Sequence, residues 1–328
     1  MSIEDAIAAA ENEEPLDADQ TSWAAVVCYR EAMTYILTLS DDPHFGYSTD
    51  LIRGLHYMML KYDLTKNPGR WRPGPVYVRD EESNRIVYEG PDADMVPNLM
   101  EELVDYLNSN HDVPPMVLGA MAHLNLVMIH PFSDGNGRMA RGLQSLVLAR
   151  TGIVALPFSS IEEYLGRAPN TRAYYDVLSE VGDGSWQPER DTRPWVRFCL
   201  TAHFLQATTL LRRSRELERL WNMLEIELKK AGLPERLLFA TAEAALGLKV
   251  RNATYRSVAD ISLQVASRDL KLAADAGFLE AHGERRGRFY RGTERVFEIR
   301  ALTREPKDMP YPFESPDPKA LYLPGLQR

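Results

Sequence analysis

The stretch His130-Pro-Phe-Ser-Asp-Gly-Asn-Gly-Arg-Met-Ala-Arg141 lies between two apolar segments and holds the most unusual residues of the chain. The segment before it, from about Pro114 to Ile129, is apolar on nearly every side, which is typical of a helix in a protein core. The segment after it, Met139 to Arg150, again has helical spacing and ends at Gly152, a residue type that favours helix C-termini. The pattern predicts a loop of charged and small residues between two core helices.

Several residues of this loop suit the binding of phosphate. Gly135-Asn136-Gly137 precedes a helix, where backbone N–H groups and the positive helix end can meet an anion. Arg138 and Arg141 lie three residues apart and hence on one face of that helix, where two guanidinium groups can hold neighbouring phosphates. The sequence therefore predicts an anion site at the start of the second helix.

Two further side chains add chemistry to this anion site. Asp134 offers a hard oxygen ligand for the Mg²⁺ that accompanies a nucleoside triphosphate. His130 titrates near neutral pH and can accept a proton from an attacking hydroxyl group. A single histidine or a single Gly-x-Gly is more often structural, but the combination predicts a phosphate-transfer site.

The stretch from His130 to Arg141 resembles the Fic motif, HPFx(D/E)GNGRxxR, and matches all nine of its fixed positions. Glu89 to Met100 resembles the segment that follows the β-hairpin flap of this family, and Tyr174-Tyr175 resembles its contact with the nucleotide base. The resemblance extends roughly from Tyr29 to Thr201. It implies a helical Fic core, and family members with an acidic residue at the Asp134 position typically transfer AMP from ATP to a Ser, Thr or Tyr hydroxyl of a protein.

This resemblance implies a role for the residues of the motif. His130 would take the proton from the target hydroxyl, and Asp134 would hold Mg²⁺ between the α- and β-phosphates of ATP. Arg138 would bind phosphate, and Arg141 would bind the γ-phosphate. The nucleotide-binding residues that it implies are Gly135, Asn136, Gly137, Arg138, Arg141, Tyr174 and Tyr175. Gly182 stands where the family often has an asparagine in the base pocket.

A β-hairpin is expected within this otherwise helical part of the chain. Val76-Tyr-Val78 and Ile86-Val-Tyr88 are β-rich, and the polar stretch from Arg79 to Arg85 joins them. By resemblance to the Fic flap, the hairpin would pair with the extended backbone of the target protein, which predicts weak sequence selectivity. The candidate flap residues are Val76, Tyr77, Val78, Ile86, Val87 and Tyr88. The alternative interpretation is a surface ribbon without such a partner.

An inhibitory glutamate is expected near the N-terminus. Ile7-Ala-Ala-Ala-Glu11-Asn12 resembles the last two positions of the family's inhibitory pattern, (S/T)xxxE(G/N), with Ile7 where Ser or Thr is usual. This implies that Glu11 pairs with Arg141 and displaces the γ-phosphate. The alternative is that Glu11 is one of seven acidic residues on a solvated helix. The same glutamate is thought to assist removal of AMP in some relatives, and that second activity stays open.

The C-terminal part of the chain resembles the winged-helix module that ends many bacterial Fic proteins. Val258 to Leu279 has the pattern of a helix-turn-helix, and Gly283 to Tyr290 that of a wing. Residues 251–292 hold eight basic and five acidic residues, locally +3 in a chain of net charge −9. The candidate DNA-binding residues are Arg268, Lys271, Arg285, Arg286 and Arg288. This charge is modest for DNA, and a protein-binding or dimerisation module is the favoured interpretation.

The sequence predicts a mainly α fold: a Fic helical core with a small β-hairpin flap, followed by a C-terminal winged helix-turn-helix domain. The expected regions are an N-terminal inhibitory-helix region at 1–45, the Fic core at 46–205, a connecting helix at 206–231, the winged helix-turn-helix at 232–300 and a Pro-rich extended tail at 301–328. The two cysteines, Cys28 and Cys199, lie in apolar helical patterns that predict buried thiols. Since no signal peptide or membrane-spanning segment is evident, we expect a cytoplasmic protein.

The function expected from these observations is an ATP- and Mg²⁺-dependent protein adenylyltransferase that modifies a target protein and itself and is held in check by Glu11. One alternative is a DNA-binding regulator whose Fic core senses nucleotide, although the intact His130 argues against a mere sensor. Another is a Fic enzyme that transfers a different group, such as UMP, phosphate or phosphocholine, or that removes AMP. The target protein and the oligomeric state, including a homodimer, stay open.

Overall fold

The computed structural model describes residues 19–79, 85–109, 112–152, 160–284, 288–307 and 313. The chain forms two units: Met1–Ala207 with Tyr311–Arg328, and Thr208–Pro310. The expected inhibitory segment around Glu11 lies outside the described residues, as does most of the expected tail, whose first residues still belong to a helix that ends at Thr303. No helix among the described residues is long and apolar enough to cross a membrane.

The first unit is mainly helical. Its helices are α1 (Gln20–Ser40), α2 (Thr49–Leu60), α3 (Val96–Ser109), α4 (Pro115–Ile129), α5 (Asn136–Arg150), α6 (Glu162–Leu165) and α7 (Ala168–Gly182), and α8 (Arg193–Lys230) has residues in both units. A short 3-10 helix covers Leu64–Lys66, and the strands are β1 (Tyr77–Arg79), β2 (Ile86–Glu89) and β3 (Gly184–Ser185). The loop at 130–135 joins α4 to α5, two helices that pack on each other.

The predicted core helix is confirmed as α4, which begins at a Pro-Pro pair and buries side chains on every side. Helix α5 begins at Asn136, three residues before the predicted start, because Gly135 takes a left-handed φ of 78° and turns the chain directly into the helix. Helices α4 and α5 pack on each other, and α1, α2 and α3 pack around them. The shared core includes Ile52, Met59, Leu126, Phe132, Met139 and Leu143.

The predicted β-hairpin is present, with β1 displaced by one residue from its expected position. Strands β1 and β2 are antiparallel, Val78 lies opposite Tyr88, and the register shifts between Val78 and Arg79. Strand β3, which the sequence did not indicate, pairs in parallel with β2. The strand order β1-β2-β3 leaves β1 at an edge of this sheet.

In the part that the structure describes, the second unit contains the C-terminal part of α8, further helices and a small sheet. After the C-terminal part of α8 come α9 (Leu237–Ala245), β4 (Val250–Arg251), α10 (Asn252–Ala259), α11 (Leu263–Asp275), β5 (Leu279–His282), β6 (Phe289–Gly292) and α12 (Glu294–Thr303). The sheet is antiparallel with the order β4-β6-β5. Its core contains Leu224, Tyr255 and Phe278. Helix α11 is capped by Ser262, whose hydroxyl accepts the N–H of Val265 (3.4 Å).

We expect Asp269→Asn to destabilise the second unit. Asp269 is 1% exposed, and its carboxylate accepts hydrogen bonds from Arg236 Nε and Nη2 (2.6 and 2.9 Å) and from Tyr255 Oη (3.0 Å). Losing charge-assisted hydrogen bonds costs about 1.5–3 kcal/mol, so the free energy of unfolding should fall by that amount. Guanidinium denaturation of the full chain measures this, with the exposed Asp275→Asn on the same helix as the control. Equal midpoints for the two variants would contradict the expectation.

Candidate active site

His130 ends helix α4 in a left-handed backbone conformation, with φ 51° and ψ 57°. Its backbone N–H donates to the carbonyl of Leu126 (2.9 Å), which anchors it to the last turn of the helix. The ring Nδ1 lies 3.2 Å from the carbonyl oxygen of Val127, and because a carbonyl oxygen only accepts, we assign the ring proton to Nδ1. Nε2 is then the nitrogen that can accept a proton.

The loop after His130 is closed by Asn136. Its side-chain amide donates to the carbonyl of Phe132 (2.8 Å) and accepts the N–H of the same residue (3.0 Å). Gly135 is required within this turn, since a Cβ there would lie 2.6 Å from Leu60 Cδ1 and the backbone is left-handed. The side chain of Asn136, assigned to nucleotide binding from the sequence, is therefore used to hold the loop.

The start of helix α5 leaves backbone donors for an anion. The first intrahelical hydrogen bond is that of the Met139 N–H to the Gly135 carbonyl (2.9 Å), so the N–H groups of Asn136, Gly137 and Arg138 have no acceptor within the helix. A Cβ on Gly137 would lie 3.3 Å from Arg141 Nη1, which places the Arg141 guanidinium beside this first turn. The structure thus brings the predicted glycines and Arg141 together.

Asp134 is paired with Lys66. Its Oδ2 lies 2.7 Å from Lys66 Nζ, and its Oδ1 accepts the N–H of Gly135 (2.6 Å). Burial acts to raise the pKa of Asp134, but the hydrogen bonds from Lys66 and Gly135 outweigh it and lower the pKa. No cluster of three or more His, Cys, Asp or Glu that could hold a metal occurs among the described residues. One ionised carboxylate is nevertheless enough for an Mg²⁺ that is bound to nucleotide phosphates. Such an ion takes its other ligands from the phosphates and from water.

The two motif arginines each have a protein partner. Arg138 Nη1 donates to Tyr62 Oη (3.3 Å). Arg141 Nε donates to Glu162 Oε1 (2.5 Å), and the same oxygen accepts a hydrogen bond from Tyr29 Oη (2.8 Å). Burial acts to lower the pKa of Arg141, but the Glu162 carboxylate outweighs it and raises the pKa. The sequence singled out neither Glu162 nor Tyr29 as a site residue.

His56 supports the loop from helix α2. Its side chain is fully buried and stacks on Phe132, with ring centroids 3.6 Å apart. Nδ1 accepts the N–H of Gly69 (2.9 Å), so Nε2 carries the proton and donates to the carbonyl oxygen of Asp134 (2.9 Å). Burial lowers the pKa of His56 to about 4, which keeps the ring neutral. In the sequence this histidine has only the spacing of a core residue.

Arg72 holds the other end of the loop and the base of the hairpin. The side chain is 4% exposed, and its Nε donates to the carbonyl of His130 (2.8 Å). Its terminal nitrogens donate to the carbonyls of Gly74 (2.6 Å) and Pro91 (2.5 Å), which flank the hairpin. The pKa of His130 is lowered, first by burial and also by the charge of Arg72, so its imidazole is neutral at pH 7. A neutral ring is the form that a general base requires.

The two adjacent tyrosines have different environments. Tyr174 is 5% exposed and its hydroxyl lies 3.1 Å from His123 Nε2, whereas Tyr175 is 61% exposed. His123 Nδ1 lies 2.7 Å from Gln144 Oε1, and Gln144 Nε2 lies 3.0 Å from His203 Nε2. The network fits one direction of donation, from Tyr174 through His123 and Gln144 to His203. Tyr174 is thus committed to the core, and Tyr175 is the ring open to a ligand.

The hairpin presents Tyr77 and Ile86 to solvent, whereas Tyr88 is buried and its hydroxyl donates to the carbonyl of Met128 (2.7 Å). Gly182 packs beside this contact: a Cβ there would lie 3.1 Å from Tyr88 Cδ2 and 3.3 Å from Met128 Sδ. An asparagine side chain at this position would need its neighbours to move. The departure from the family pattern at Gly182 therefore has a steric reason in this chain.

Part of the chain that contains this site matches the model of a known family. Residues 46–148 match the model of the Fic/DOC family, and this range includes His130 to Arg141. "Protein adenylyltransferase fic-1" of Caenorhabditis elegans is 35% identical over 165 residues, 49% of this chain and 28% of the relative. "Protein adenylyltransferase Fic" of Nematostella vectensis is 28% identical over 177 residues, 51% of this chain and 35% of the relative. The chain thus spans about a third of the length of these relatives.

A solved structure has a similar fold. The crystal structure of a Fic family protein from Desulfovibrio desulfuricans G20 aligns with a TM-score of 0.55 at 21% identity, covering 90% of this chain and 82% of that protein. At this level of identity the similarity concerns the fold alone.

We expect His56→Ala to destabilise the first unit. The substitution leaves the Gly69 N–H and the Asp134 carbonyl without a partner, and each unsatisfied buried group costs about 1–3 kcal/mol. The free energy of unfolding should fall by about 2–5 kcal/mol once both groups and the cavity are counted. Urea denaturation measures it, with the exposed His44→Ala as control. If His56→Ala unfolds at the same urea concentration as the control, the loop does not depend on this ring.

The stability of the chain should fall between pH 6.5 and pH 4.5. Burial lowers the pKa of His56 and His203 to about 4 and that of His123 to about 3. An unfolded histidine binds its proton near pH 6.5, so the unfolded state binds more protons in this range and acid favours it. Each of these histidines lowers the free energy of unfolding by up to about 1.4 kcal/mol for each pH unit of acidification. Urea titrations across this range measure the slope, which His203→Gln should reduce; a flat profile would contradict the assignment.

Proposed function

We propose, on the premise that residues 46–148 match the model of the Fic/DOC family, that this protein transfers AMP from ATP to a hydroxyl group of a target protein. The observation that carries the proposal is the placement of His130, whose proton-accepting Nε2 belongs to the same short loop as the free backbone donors of α5. The names of the relatives, protein adenylyltransferases, agree with this chemistry.

The reaction needs one base and one anion site. His130 Nε2 accepts the proton of the target hydroxyl while the hydroxyl oxygen attacks the α-phosphorus of ATP. The bond from that phosphorus to the β-phosphate oxygen breaks, pyrophosphate leaves, and AMP stays on the target through a phosphodiester bond. The N–H groups of Asn136, Gly137 and Arg138 at the start of α5 stabilise the negative charge on the phosphates, and Arg138 and Arg141 add positive charge.

Asp134 is the residue that would hold Mg²⁺. The ion, when bound, would neutralise charge on the nucleotide phosphates. The carboxylate is ionised and partly exposed, which suits this role, but it is paired with Lys66. For Asp134 to bind the Mg²⁺ of an Mg²⁺–ATP complex, the ion pair between Lys66 and Asp134 must therefore break.

The edge strand β1 supports a docking role for the hairpin. An extended segment of a target chain could add to β1 through backbone hydrogen bonds, and on this proposal it would bring a Ser, Thr or Tyr hydroxyl to His130 with little sequence selectivity. The exposed side chains of Tyr77 and Ile86 would contact that segment. A segment of this protein itself is a candidate substrate by the same geometry.

Regulation by Glu11 remains part of the proposal. An acidic side chain that approaches the terminal nitrogens of Arg141 would compete with the γ-phosphate, and replacing Glu11 would then raise activity. The same residue would be needed for removal of AMP, if the chain carries out that reaction.

For the second unit we propose a winged helix that binds protein. The order helix, strand, two helices and two strands in α9 to β6 supports this assignment. Arg268, Lys271 and Arg288 are exposed and could meet DNA phosphates, whereas Arg285 and Arg286 lie outside the described residues. However, α11 also exposes Leu263 and Val265, and apolar side chains on that helix suit a protein surface better. A gel shift that stays flat at low salt would support the protein-binding role, because electrostatic DNA binding is strongest there.

Labelling with α-³²P-ATP and Mg²⁺ tests the main proposal. We expect protein-bound label in a lysate, more of it with Glu11→Gly, and loss of label with Glu11→Gly combined with His130→Ala, since the base is then absent. His44→Ala combined with Glu11→Gly is the matched control and should label normally. γ-³²P-ATP should give no label, because the γ-phosphate leaves with pyrophosphate. Label from the γ-position, or retention of α-label without His130, would refute the transfer of AMP by this mechanism.

A further inference from the structure

The guanidinium of Arg141 is held by residues from two other helices. Glu162 in α6 accepts the Nε–H of Arg141 (2.5 Å), and Tyr29 in α1 donates its hydroxyl to the same carboxylate oxygen (2.8 Å). The Arg141 side chain is 19% exposed and that of Glu162 is 38% exposed, so the pair is partly shielded from water. Glu162 therefore holds the guanidinium group through Nε.

One terminal nitrogen of Arg141, Nη1, lies beside the candidate anion site. Nη1 lies 3.3 Å from the point that a Cβ on Gly137 would occupy, in the first turn of α5 where the backbone donors are free. The Glu162 carboxylate accepts its hydrogen bond from Nε. Glu162 therefore orients the guanidinium and does not cover the nitrogens that a phosphate would bind.

The segment that carries Glu162 is itself anchored. The N–H of Glu162 donates to Ser160 Oγ (3.1 Å), and the N–H of Tyr164 donates to Gln206 Oε1 (3.0 Å). Helix α6 has only one turn, so these contacts, together with its packing on α7, fix its position. A carboxylate on an anchored segment can hold a long arginine side chain in one conformation at a lower cost in side-chain entropy.

We propose that Glu162 and Tyr29 are positioning residues that orient Arg141 toward the terminal phosphate of ATP. This inference rests on the proposed function, because it assigns Arg141 to the γ-phosphate. Without Glu162, Nε would be left unpaired in a partly buried place, and the guanidinium would turn toward water. If Glu162 instead competed with the γ-phosphate for Arg141, its removal would strengthen ATP binding. The two roles therefore predict opposite changes in ATP affinity.

Nucleotide binding by Glu162→Gln tests the inference. Calorimetry in a Glu11→Gly and His130→Ala background, with Mg²⁺ present and no turnover, gives dissociation constants for ATP, ADP and AMP. We expect Glu162→Gln to weaken ATP binding about tenfold and to leave ADP and AMP within about twofold, because only ATP has the phosphate that Arg141 would hold. Tyr29→Phe should act in the same direction with a smaller effect. The exposed Glu180→Gln on α7 is the matched control and should change nothing.

Two results would overturn the inference. Unchanged or tighter ATP binding by Glu162→Gln would mean that Glu162 is dispensable or competes with the phosphate. Equal weakening for ATP, ADP and AMP would mean that Glu162 only stabilises the fold. Tyr29→Phe retains the aromatic ring and removes a single hydroxyl, so it provides the answer if Glu162→Gln unfolds.

The labelling reaction separates this inference from the proposed function. With Glu162→Gln added to Glu11→Gly, we expect the KM for ATP to rise about tenfold with kcat little changed, as for lost binding of the nucleotide. If Glu11→Gly attaches no AMP to any protein, yet Glu162→Gln weakens ATP binding selectively, the proposed function fails and the positioning role stands. If labelling is normal and ATP affinity is insensitive to Glu162, the positioning role fails and the function stands.

Discussion

The turn that connects α4 to α5 depends on buried hydrogen bonds to its backbone carbonyls. His56 donates to the carbonyl of Asp134, Asn136 to that of Phe132, and Arg72 to that of His130. A sharp turn inside a core would otherwise leave polar groups without water or partner, at a cost of about 1–3 kcal/mol each. Because side chains from α2 and from the segment before β1 satisfy them, the loop can keep one conformation and hold His130 in a fixed place.

The same constraint links the loop that carries His130 with the hairpin. Arg72 reaches the carbonyls of Gly74 and Pro91 on either side of the hairpin while it also binds the carbonyl of His130. A guanidinium group has five N–H donors in a rigid plane, so one side chain can fix several backbone segments at once. The proposed docking strand and the proposed base are therefore held by one buried residue, and a displacement of either would strain these hydrogen bonds.

Two charged groups of the site form ion pairs in the nucleotide-free structure. Asp134 is paired with Lys66, and Arg141 with Glu162. Nucleotide binding would affect these two pairs differently. The pair of Asp134 with Lys66 must break if Asp134 is to bind a cation. The pair of Arg141 with Glu162 can persist, because it uses Nε of the arginine. Partly buried pairs of this kind keep isolated charges out of a shielded site. The resting site is thus stable in itself and still leaves backbone donors free.

Residue types at short spacing were enough to predict the core helix α4, the anion-binding loop from His130 to Arg141 and the two hairpin strands. Only the tertiary structure decided which residues support them. His56 lies 78 residues from Asp134, Arg72 lies 58 from His130, and Tyr29 lies 133 from Glu162. It also decided that Tyr174 is buried and Tyr175 exposed, and that β3 joins the hairpin. Contacts between distant segments depend on how the helices pack, and local spacing carries no signal for them.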